Sequence, residues 1–183
     1  MQALDLLLNR RSQPKLLEPA PQGEALENIM QAALRAPDHA NLTPWHFVVC
    51  QGRGLVKLGE IFEEAAVNAN MDEKQRLRAP QLPLRAPMVI VAIAKYTEHP
   101  KVPWVEQVAS ASCAVQSMQM AALAQGFNGI WRTGSYSTND DVKCAFYLEE
   151  KDEIVGFLYL GTPAIEPMPA PTRNSADFFE VWD

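Results

Sequence analysis

Residues 35–47 read Arg-Ala-Pro-Asp-His-Ala-Asn-Leu-Thr-Pro-Trp-His-Phe, and they join a predicted helix to a predicted strand. Apolar residues recur at helical spacing over Glu24–Ala36, and Pro37 ends that helix. His46–Cys50 is β-branched and aromatic, which predicts a strand. Loops this rich in polar and aromatic side chains often carry function, but an Asx or Ser/Thr turn beside a buried tryptophan has the same composition. Both interpretations stay open at this point.

The elements around this segment interleave helices with strands. Helices are predicted at Ala3–Asn9, Leu55–Asn70, Trp104–Gln125 and from an N-cap at Ser137 or Thr138 to about Tyr147; strands are predicted at Met88–Ala94, Asn128–Trp131 and Ile154–Leu160. The polar stretch Met71–Arg85 is interpreted as a mobile excursion. Because Met88–Ala94 is apolar throughout, we expect it at the centre of a sheet. The first three helices surround only one strand, which favours an α+β sheet over a doubly wound one.

The composition bounds the class of protein. The chain has 183 residues, a net charge of −6 and a sequence pI near 5.1. This length suits one domain, and the acidic balance argues against a nucleic-acid partner, which needs a basic surface. The longest apolar run has seven residues, and a membrane span needs roughly 20, so no membrane association is expected. The three cysteines are widely spaced without a CxxC pair, which indicates a reducing, cytoplasmic location and no metal site.

Common catalytic motifs are missing from the sequence. Gly52 and Gly54 begin a dinucleotide fingerprint, but Lys57 stands where its third glycine would be. The chain has no GxxxxGK[ST] phosphate loop, no HExxH zinc motif and no glycine-flanked serine of the kind that hydrolases use. A hydrolase or metalloenzyme is therefore not supported.

Two further clusters suit a phosphorylated, planar ligand. Residues 10–12 read Arg-Arg-Ser, and arginine offers a planar fork of charge-assisted donors to a phosphate. Residues 129–134 read Gly-Ile-Trp-Arg-Thr-Gly at a strand end, where glycines allow close approach to the backbone. A solvated arginine pair at a helix end, and a buried tryptophan beside a surface arginine, are the structural alternatives.

Taken together and in this order, the motifs resemble the FMN-dependent nitroreductase family. They are Arg-Arg-Ser at 10–12, Arg-Ala-Pro-Asp-His at 35–39, Pro-Trp-His-Phe at 44–47, a long alanine-rich helix ending in Ala-Gln-Gly at 124–126, Gly-Ile-Trp-Arg at 129–132 and Val-Gly-Phe-Leu-Tyr-Leu-Gly-Thr-Pro at 155–163. The similarity covers Met1 to about Pro163 and is greatest to the small single-domain bacterial NAD(P)H nitroreductases of that family.

The resemblance implies a fold and a cofactor site. The fold is an α+β nitroreductase-like one, with a central mixed, mostly antiparallel sheet surrounded by helices, in a homodimer that holds two FMN molecules at its interface. The residues implied to bind FMN are Arg10, Arg11, Ser12, Trp131, Arg132 and Thr133 from one subunit, and Arg35, His39 and Asn41 from the other. Thr43 stands where the family more usually has glutamine, and Arg173 is left unassigned.

The implied activity is ping-pong hydride transfer. NAD(P)H reduces FMN, and the reduced flavin passes its electrons to a small-molecule acceptor such as a nitroaromatic or a quinone. No side chain is named as a catalytic acid or base. Two other hypotheses stay open: a non-enzymatic FMN-binding or redox-sensing dimer, because no NAD(P)H-selecting charge cluster is visible, and a structural interaction domain.

The C-terminal end combines prolines with aromatic residues. Prolines crowd this end at Pro163, Pro167, Pro169 and Pro171, and the chain finishes with Phe178, Phe179, Val181 and Trp182. We expect residues 1–163 to form the FMN-binding domain and residues 164–183 to form an extended arm over the partner subunit. An arm folded back on its own subunit is the alternative.

Overall fold

The helices and strands alternate along the chain much as the sequence predicts. The computed structural model describes residues 2–166 and 169–182. Its helices are α1 (Ala3–Asn9), α2 (Gly23–Ala33), α3 (Arg53–Asn68), α4 (Glu73–Arg78), α5 (Trp104–Ala124) and α6 (Asp140–Ala145), and its strands are β1 (Leu16–Leu17), β2 (Trp45–Gln51), β3 (Met88–Ala94), β4 (Asn128–Arg132) and β5 (Glu153–Pro163). Within these described ranges, no helix combines the length and apolar content needed to cross a bilayer.

The five strands form one sheet. β3 lies between β2 and β5, β4 pairs with the other side of β5, and β1 pairs with the last two residues of β5. Each of these pairings is antiparallel. All seven residues of β3 are buried, which confirms that this strand is central. The predicted α+β class, with a mostly antiparallel sheet surrounded by helices, is confirmed.

The two faces of the sheet are covered by different helices. Successive residues of a strand point to opposite faces, so β3 alternates between two hydrophobic clusters. Val89 and Val91 pack with α3 and α6, where Phe62 is the largest fully buried side chain among the described residues. Ile90 packs with α2 and α5, around Met118. We call these the α3 face and the α5 face of the sheet.

α5 buries small side chains along its contact with α2 and the sheet. Ala111, Ala114 and Ala122 are fully buried and allow the close approach of neighbouring backbones. The opposite side of the helix is exposed and includes Val105 and Cys113. One side of α5 therefore belongs to the core, and the other side is open to solvent.

The prediction of a mobile excursion at Met71–Arg85 is wrong. The segment folds as α4 followed by two 3-10 turns, and most of its polar residues are exposed, whereas Arg85 is half-buried. Asp72 caps α4, since its side chain accepts a hydrogen bond from the Gln75 backbone N–H at 2.7 Å. In return, the Gln75 side-chain oxygen accepts from the Asp72 backbone N–H at 3.2 Å. Pro80 packs so closely on α3 that a Cβ added at Gly59 would lie 2.6 Å from the Pro80 oxygen.

Smaller differences concern element ends. The short strand β1 was not predicted, because two residues carry no periodic signal. α6 is capped by Asn139, whose side chain accepts from the Val142 N–H at 3.0 Å, rather than by Ser137 or Thr138. Pro167 of the proline-rich arm lies outside the described residues.

Candidate functional site

The Arg-Arg-Ser segment at residues 10–12 is held beside β4. Its anchor is the buried Gln13, whose backbone N–H donates to the Gly129 carbonyl at 3.0 Å and whose side chain donates to the Ile165 carbonyl at 3.0 Å. Gln119 of α5 donates to the same Gly129 oxygen at 2.9 Å. Two buried glutamines therefore fix the position of this segment at the start of β4.

The two arginines of the segment are free to bind an anion. Arg10 and Arg11 are half-buried, and the Arg10 guanidinium donates to Ser12 Oγ at 3.4 Å. In the described part of the chain, neither guanidinium forms an ion pair with a carboxylate. Two guanidinium groups and a hydroxyl form a donor set that suits a phosphate, and an acidic chain retains such an anion only where positive charge is concentrated.

The end of β4 is shaped around Trp131. Its indole N–H donates to the Val155 carbonyl at 3.0 Å. The register between β3 and β5 shifts at this point, which leaves Val155 as an extra residue on β5, a β-bulge. Gly156 follows it with φ of +147°, and a Cβ added there would lie 2.1 Å from the Trp131 indole nitrogen. Only a glycine leaves room for the indole in this position.

Residues 131–133 divide between the two faces of the sheet. Trp131 packs into the α5 face, whereas Arg132 lies on the α3 face, with its guanidinium 5.7 Å from the centroid of the Tyr159 ring. Thr133 follows the strand and is exposed. The structure thus brings residues 10–12 and 131–133, which are far apart in sequence, onto neighbouring segments.

The loop before β2 has an unusual backbone. Ala40, Asn41 and Thr43 all have positive φ, between 49° and 63°, which is unfavourable for residues other than glycine. The Asp38 carboxylate supports this conformation by accepting from the Leu42 N–H at 3.1 Å and the Thr43 N–H at 2.7 Å. Backbone strain of this kind is often found at functional sites.

The same loop is attached to the first half of α5. Ser110 Oγ donates to the Pro37 carbonyl at 2.6 Å, and His39 Nδ1 lies 2.8 Å from the Glu106 carboxylate. Arg35 is exposed, and its Nε–H donates to the Leu34 carbonyl at 3.1 Å. Arg35, His39 and Asn41 are thus exposed together on one loop.

Within one chain this loop does not meet residues 10–12. His39 is attached to Glu106, and residues 10–12 are attached, through Gly129, to Gln119. Thirteen residues of α5 separate Glu106 from Gln119, which is roughly 20 Å at 1.5 Å per residue. The residues predicted to bind FMN therefore form two groups within one chain, one near each end of α5.

The structure also contains a site that the sequence did not indicate. A cavity of about 540 Å³ lies on the α3 face, between α4 and the end of β4. Three arginines line it, Arg78, Arg85 and Arg132, and we call it the arginine cavity. Arg78 and Arg85 were missed because their segment was interpreted as mobile. The Asp72 and Gln75 spacing of a capping box is the local signal that a helix begins there.

The arginine cavity concentrates positive charge. Burial lowers the pKa of Arg85, and the charges of Arg78 and Arg132 lower it further. Burial raises the pKa of the Tyr159 hydroxyl, and the positive charges of Arg132 and Arg85 oppose that rise. The Nε atom of Arg132 is buried and has no hydrogen-bond partner among the described residues. A buried donor left without a partner costs about 1–3 kcal/mol.

A second feature is an apolar groove at the edge of the sheet. β2 pairs with β3 on one side, and its other edge is not paired with any described strand. A groove of about 390 Å³ runs between this strand and α2, with Met30, Leu34 and Phe47 among its lining residues. Unpaired strand edges with apolar surroundings are common sites of strand addition.

Comparisons with known proteins agree on one family. The model of the Nitroreductase family matches residues 7–162. The chain is 50% identical over 177 residues to the Escherichia coli K12 protein named "Putative NAD(P)H nitroreductase YdjA", covering 94% of this chain and 97% of that protein.

Solved structures show the same fold. A nitroreductase-like family protein from Bacillus cereus superimposes with a TM-score of 0.85 at 21% identity, covering 100% of this chain and 97% of the other. A Bacteroides fragilis nitroreductase with bound FMN superimposes with a TM-score of 0.76 at 21% identity over 100% of both chains. At this level of identity the superpositions establish the nitroreductase-like fold.

Proposed function

The chain belongs to the nitroreductase family, and on that basis we propose that it is an FMN-dependent NAD(P)H oxidoreductase that reduces a nitroaromatic, a quinone or a similar acceptor. The family is one of oxidoreductases, and the cofactor is FMN with NAD(P)H as co-substrate. The observation that carries the proposal is the position of residues 10–12, whose two arginines lack carboxylate partners in the described chain and are fixed beside the Trp131-Arg132-Thr133 end of β4.

We assign the FMN phosphate to Arg10, Arg11 and Ser12. A charge-assisted hydrogen bond contributes about 1.5–3 kcal/mol, so two or three of them account for firm non-covalent retention of a dianion. The strand leads from Gly129, where this segment is anchored, to residues 131–133. Trp131, Arg132 and Thr133 at the end of this strand would therefore line the flavin ring.

The partner subunit completes the site in this proposal. The loop carrying Arg35, His39 and Asn41 is separated from residues 10–12 by roughly 20 Å of α5 within one chain. A second copy of the chain brings the two groups together at one FMN. The leucines of α1 support an interface here, because Leu4, Leu7 and Leu8 are 60–73% exposed. Exposed apolar side chains in such a row are typical of a surface that a partner covers.

We propose that residues 1–163 form the FMN-binding domain and residues 164–183 an arm on the partner subunit. Phe178, Phe179 and Trp182 are 69%, 76% and 87% exposed, so this chain alone does not bury them. The groove beside β2 offers an apolar surface and an unpaired strand edge in the same place. An arm exchanged between subunits would cover both.

The cysteines bear on where the enzyme acts. Cys50, Cys113 and Cys144 are free thiols in the structure. Free thiols, two of them exposed, persist best in a reducing compartment, and we propose the cytoplasm.

The chemistry divides between cofactor and protein. When bound, FMN accepts a hydride from NAD(P)H and returns two electrons to the acceptor. For a nitro group, the balanced first step is Ar–NO₂ + NAD(P)H + H⁺ → Ar–NO + NAD(P)⁺ + H₂O. The chain's own residues bind and orient: arginines neutralise the phosphate, and Trp131 fixes the strand end. No side chain is assigned as an obligate acid or base.

The proposal is tested on the purified protein. We expect bound FMN, reduction of its visible absorbance by NADH or NADPH under anaerobic conditions, and reoxidation by a nitroaromatic. Arg10→Ala should weaken FMN binding by about 10–100-fold, the loss of a charge-assisted contact. Arg53→Ala, an exposed arginine at the start of α3, is the matched control and should leave binding unchanged. A colourless protein that binds no added FMN, or a bound flavin that stays oxidised, contradicts the proposal.

A further inference from the structure

The arginine cavity adjoins the proposed flavin site without being part of the phosphate site. Trp131, Arg132 and Thr133 line the cavity and are also the residues assigned to the flavin ring. The phosphate segment is anchored at Gly129, three residues earlier in β4, which corresponds to roughly 10 Å of strand. A molecule in the cavity would therefore lie near the flavin ring and away from the FMN phosphate.

The cavity has the chemistry of an anion site. Arg78 and Arg85 come from the segment between α3 and β3, and Arg132 comes from the end of β4. Among the residues that the structure describes, no aspartate or glutamate lines the cavity, and none of the three arginines forms an ion pair. The unpartnered Nε of Arg132 adds a buried donor. Three unneutralised guanidinium groups in an acidic chain select for a carboxylate or a phosphate.

Aromatic side chains form part of the remaining wall. The rings of Phe62 and Tyr136 stack with centroids 4.4 Å apart, and Phe157 meets Phe62 edge-on at 5.1 Å. All three line the cavity. Aromatic faces favour flat ring systems, and a volume of about 540 Å³ lies within the range of small-molecule sites. The ligand that matches both features is a planar aromatic ring that carries an acid group.

We propose that the arginine cavity binds the carboxylate of an aromatic acid and that such an acid is the electron acceptor of this enzyme. The inference rests on the proposed function, because the acceptor must meet reduced FMN at the end of β4. Arg78 and Arg85 hold the carboxylate, and the nitro or quinone group at the other end of the ring faces the flavin. For a nitrobenzoate, the step is the two-electron reduction written above, with NAD(P)H as reductant and water as the leaving product.

A matched pair of acceptors tests the role of the charge. 4-Nitrobenzoate and its methyl ester differ at the acid group and share the nitro-bearing ring. We expect the FMN-loaded wild type to prefer the acid in kcat/KM. Arg78→Gln should reduce kcat/KM for the acid by about 10–100-fold, mainly through KM, and change the ester by less than about twofold. Because Arg78 is an exposed residue at the end of α4, this variant should fold.

Two further variants complete the design. Arg85→Gln is the second test, and it should also lower kcat/KM for the acid more than kcat/KM for the ester. Arg76→Gln is the matched control, because Arg76 lies on α4, is exposed and does not line the cavity. It should leave both acceptors unaffected. FMN content and the urea midpoint are measured for every variant.

The outcomes separate this inference from the proposed function. If the wild type reduces neither acceptor, the proposed function fails. If it reduces the ester but shows no preference for the acid, or if Arg78→Gln affects both acceptors equally, only the acceptor inference is overturned. Loss of FMN from the Arg78 and Arg85 variants would assign the cavity to the cofactor. A raised KM for NADPH with an unchanged KM for NADH would assign it to the donor. Either result also overturns the inference.

Discussion

Gly156→Ala is expected to displace Trp131 from the end of β4. The new Cβ would lie 2.1 Å from the indole nitrogen, 2.6 Å from the neighbouring ring carbon Cδ1 and 2.7 Å from the Arg132 carbonyl oxygen. Ordinary carbon contacts are about 3.5–4.0 Å, so the ring must move by more than about 1 Å. That movement breaks the hydrogen bond from the indole to the Val155 carbonyl.

The expected loss follows from two contributions. Overpacking costs about 1–3 kcal/mol, and an indole N–H left without its partner costs about 1–3 kcal/mol. The φ of +147° at this position strains an alanine, so the gain of about 0.4–1 kcal/mol that a restricted unfolded chain would otherwise bring is not expected. Because movement of the ring relieves part of the clash, these costs overlap, and we expect Gly156→Ala to lower the free energy of unfolding by about 2–4 kcal/mol. The variant should still fold, because domains of this size are typically stable by about 5–15 kcal/mol.

Urea unfolding followed by circular dichroism measures this change, and Gly54→Ala is the matched control. Gly54 lies in the first turn of α3, where an added Cβ meets only Cys50 Cβ at an ordinary 3.6 Å. That substitution should raise stability by about 0.5–1 kcal/mol. FMN retention should fall in Gly156→Ala and stay unchanged in Gly54→Ala. If Gly156→Ala is within about 0.5 kcal/mol of wild type and retains its FMN, the described seating of Trp131 is incorrect.

Three other predictions concern the loop before β2, the buried carboxylate before β5 and the arm. Asp38→Ala removes the acceptor of the Thr43 N–H. It should lower the free energy of unfolding by about 1–2 kcal/mol and speed proteolysis within residues 38–43. An unchanged cleavage rate would show that the loop keeps its conformation without the Asp38 carboxylate. For Asp152, burial raises the carboxyl pKa, but hydrogen bonds from Lys95 and two backbone N–H groups outweigh it, so the pKa is lowered. The ionised carboxylate stabilises the fold above the unfolded pKa of about 3.9, and this stabilisation is lost as pH falls through the lower folded pKa. Asparagine does not titrate, so below about pH 4 the urea midpoint of Asp152→Asn should fall less than that of wild type. Parallel curves of midpoint against pH would contradict this prediction. A chain truncated after Pro163 should elute as a monomer in size-exclusion chromatography, and a stable FMN-loaded dimer would remove the arm from the interface.

The fold could be predicted where one sequence signal decides the structure. Met88–Ala94 is a strand with the predicted ends, because seven apolar residues bounded by Pro87 and Lys95 suit only a strand buried on both faces. α5 was predicted to within one residue for the same reason, since Gly126 stops a long run of helix-forming residues. Local patterns were sufficient in both elements.

The site could be predicted only in part. Residues 10–12 and 131–133 carry recognisable motifs, but the connection between them is made by Gln13 and Gln119, two buried polar residues with no local signal. The arginine cavity was missed because Arg78 and Arg132 lie far apart in sequence, and their proximity depends on how α4 packs against the sheet. A segment rich in polar and charged residues was interpreted as mobile, although Asp72 and Pro80 give it a defined structure.

The short strand β1 links the two ends of the chain. Leu16 and Leu17 pair with the end of β5, the Ala164 N–H donates to the Lys15 carbonyl at 3.1 Å, and Gln13 donates to Ile165. The segment that begins at Arg10 and the segment that leads into the C-terminal arm are thus hydrogen-bonded to each other. If the first binds FMN and the second binds the partner subunit, the two equilibria are thermodynamically linked, and each ligand strengthens the binding of the other. Dilution of the protein should therefore release its flavin, and excess FMN should hold the subunits together at concentrations where the apoprotein dissociates.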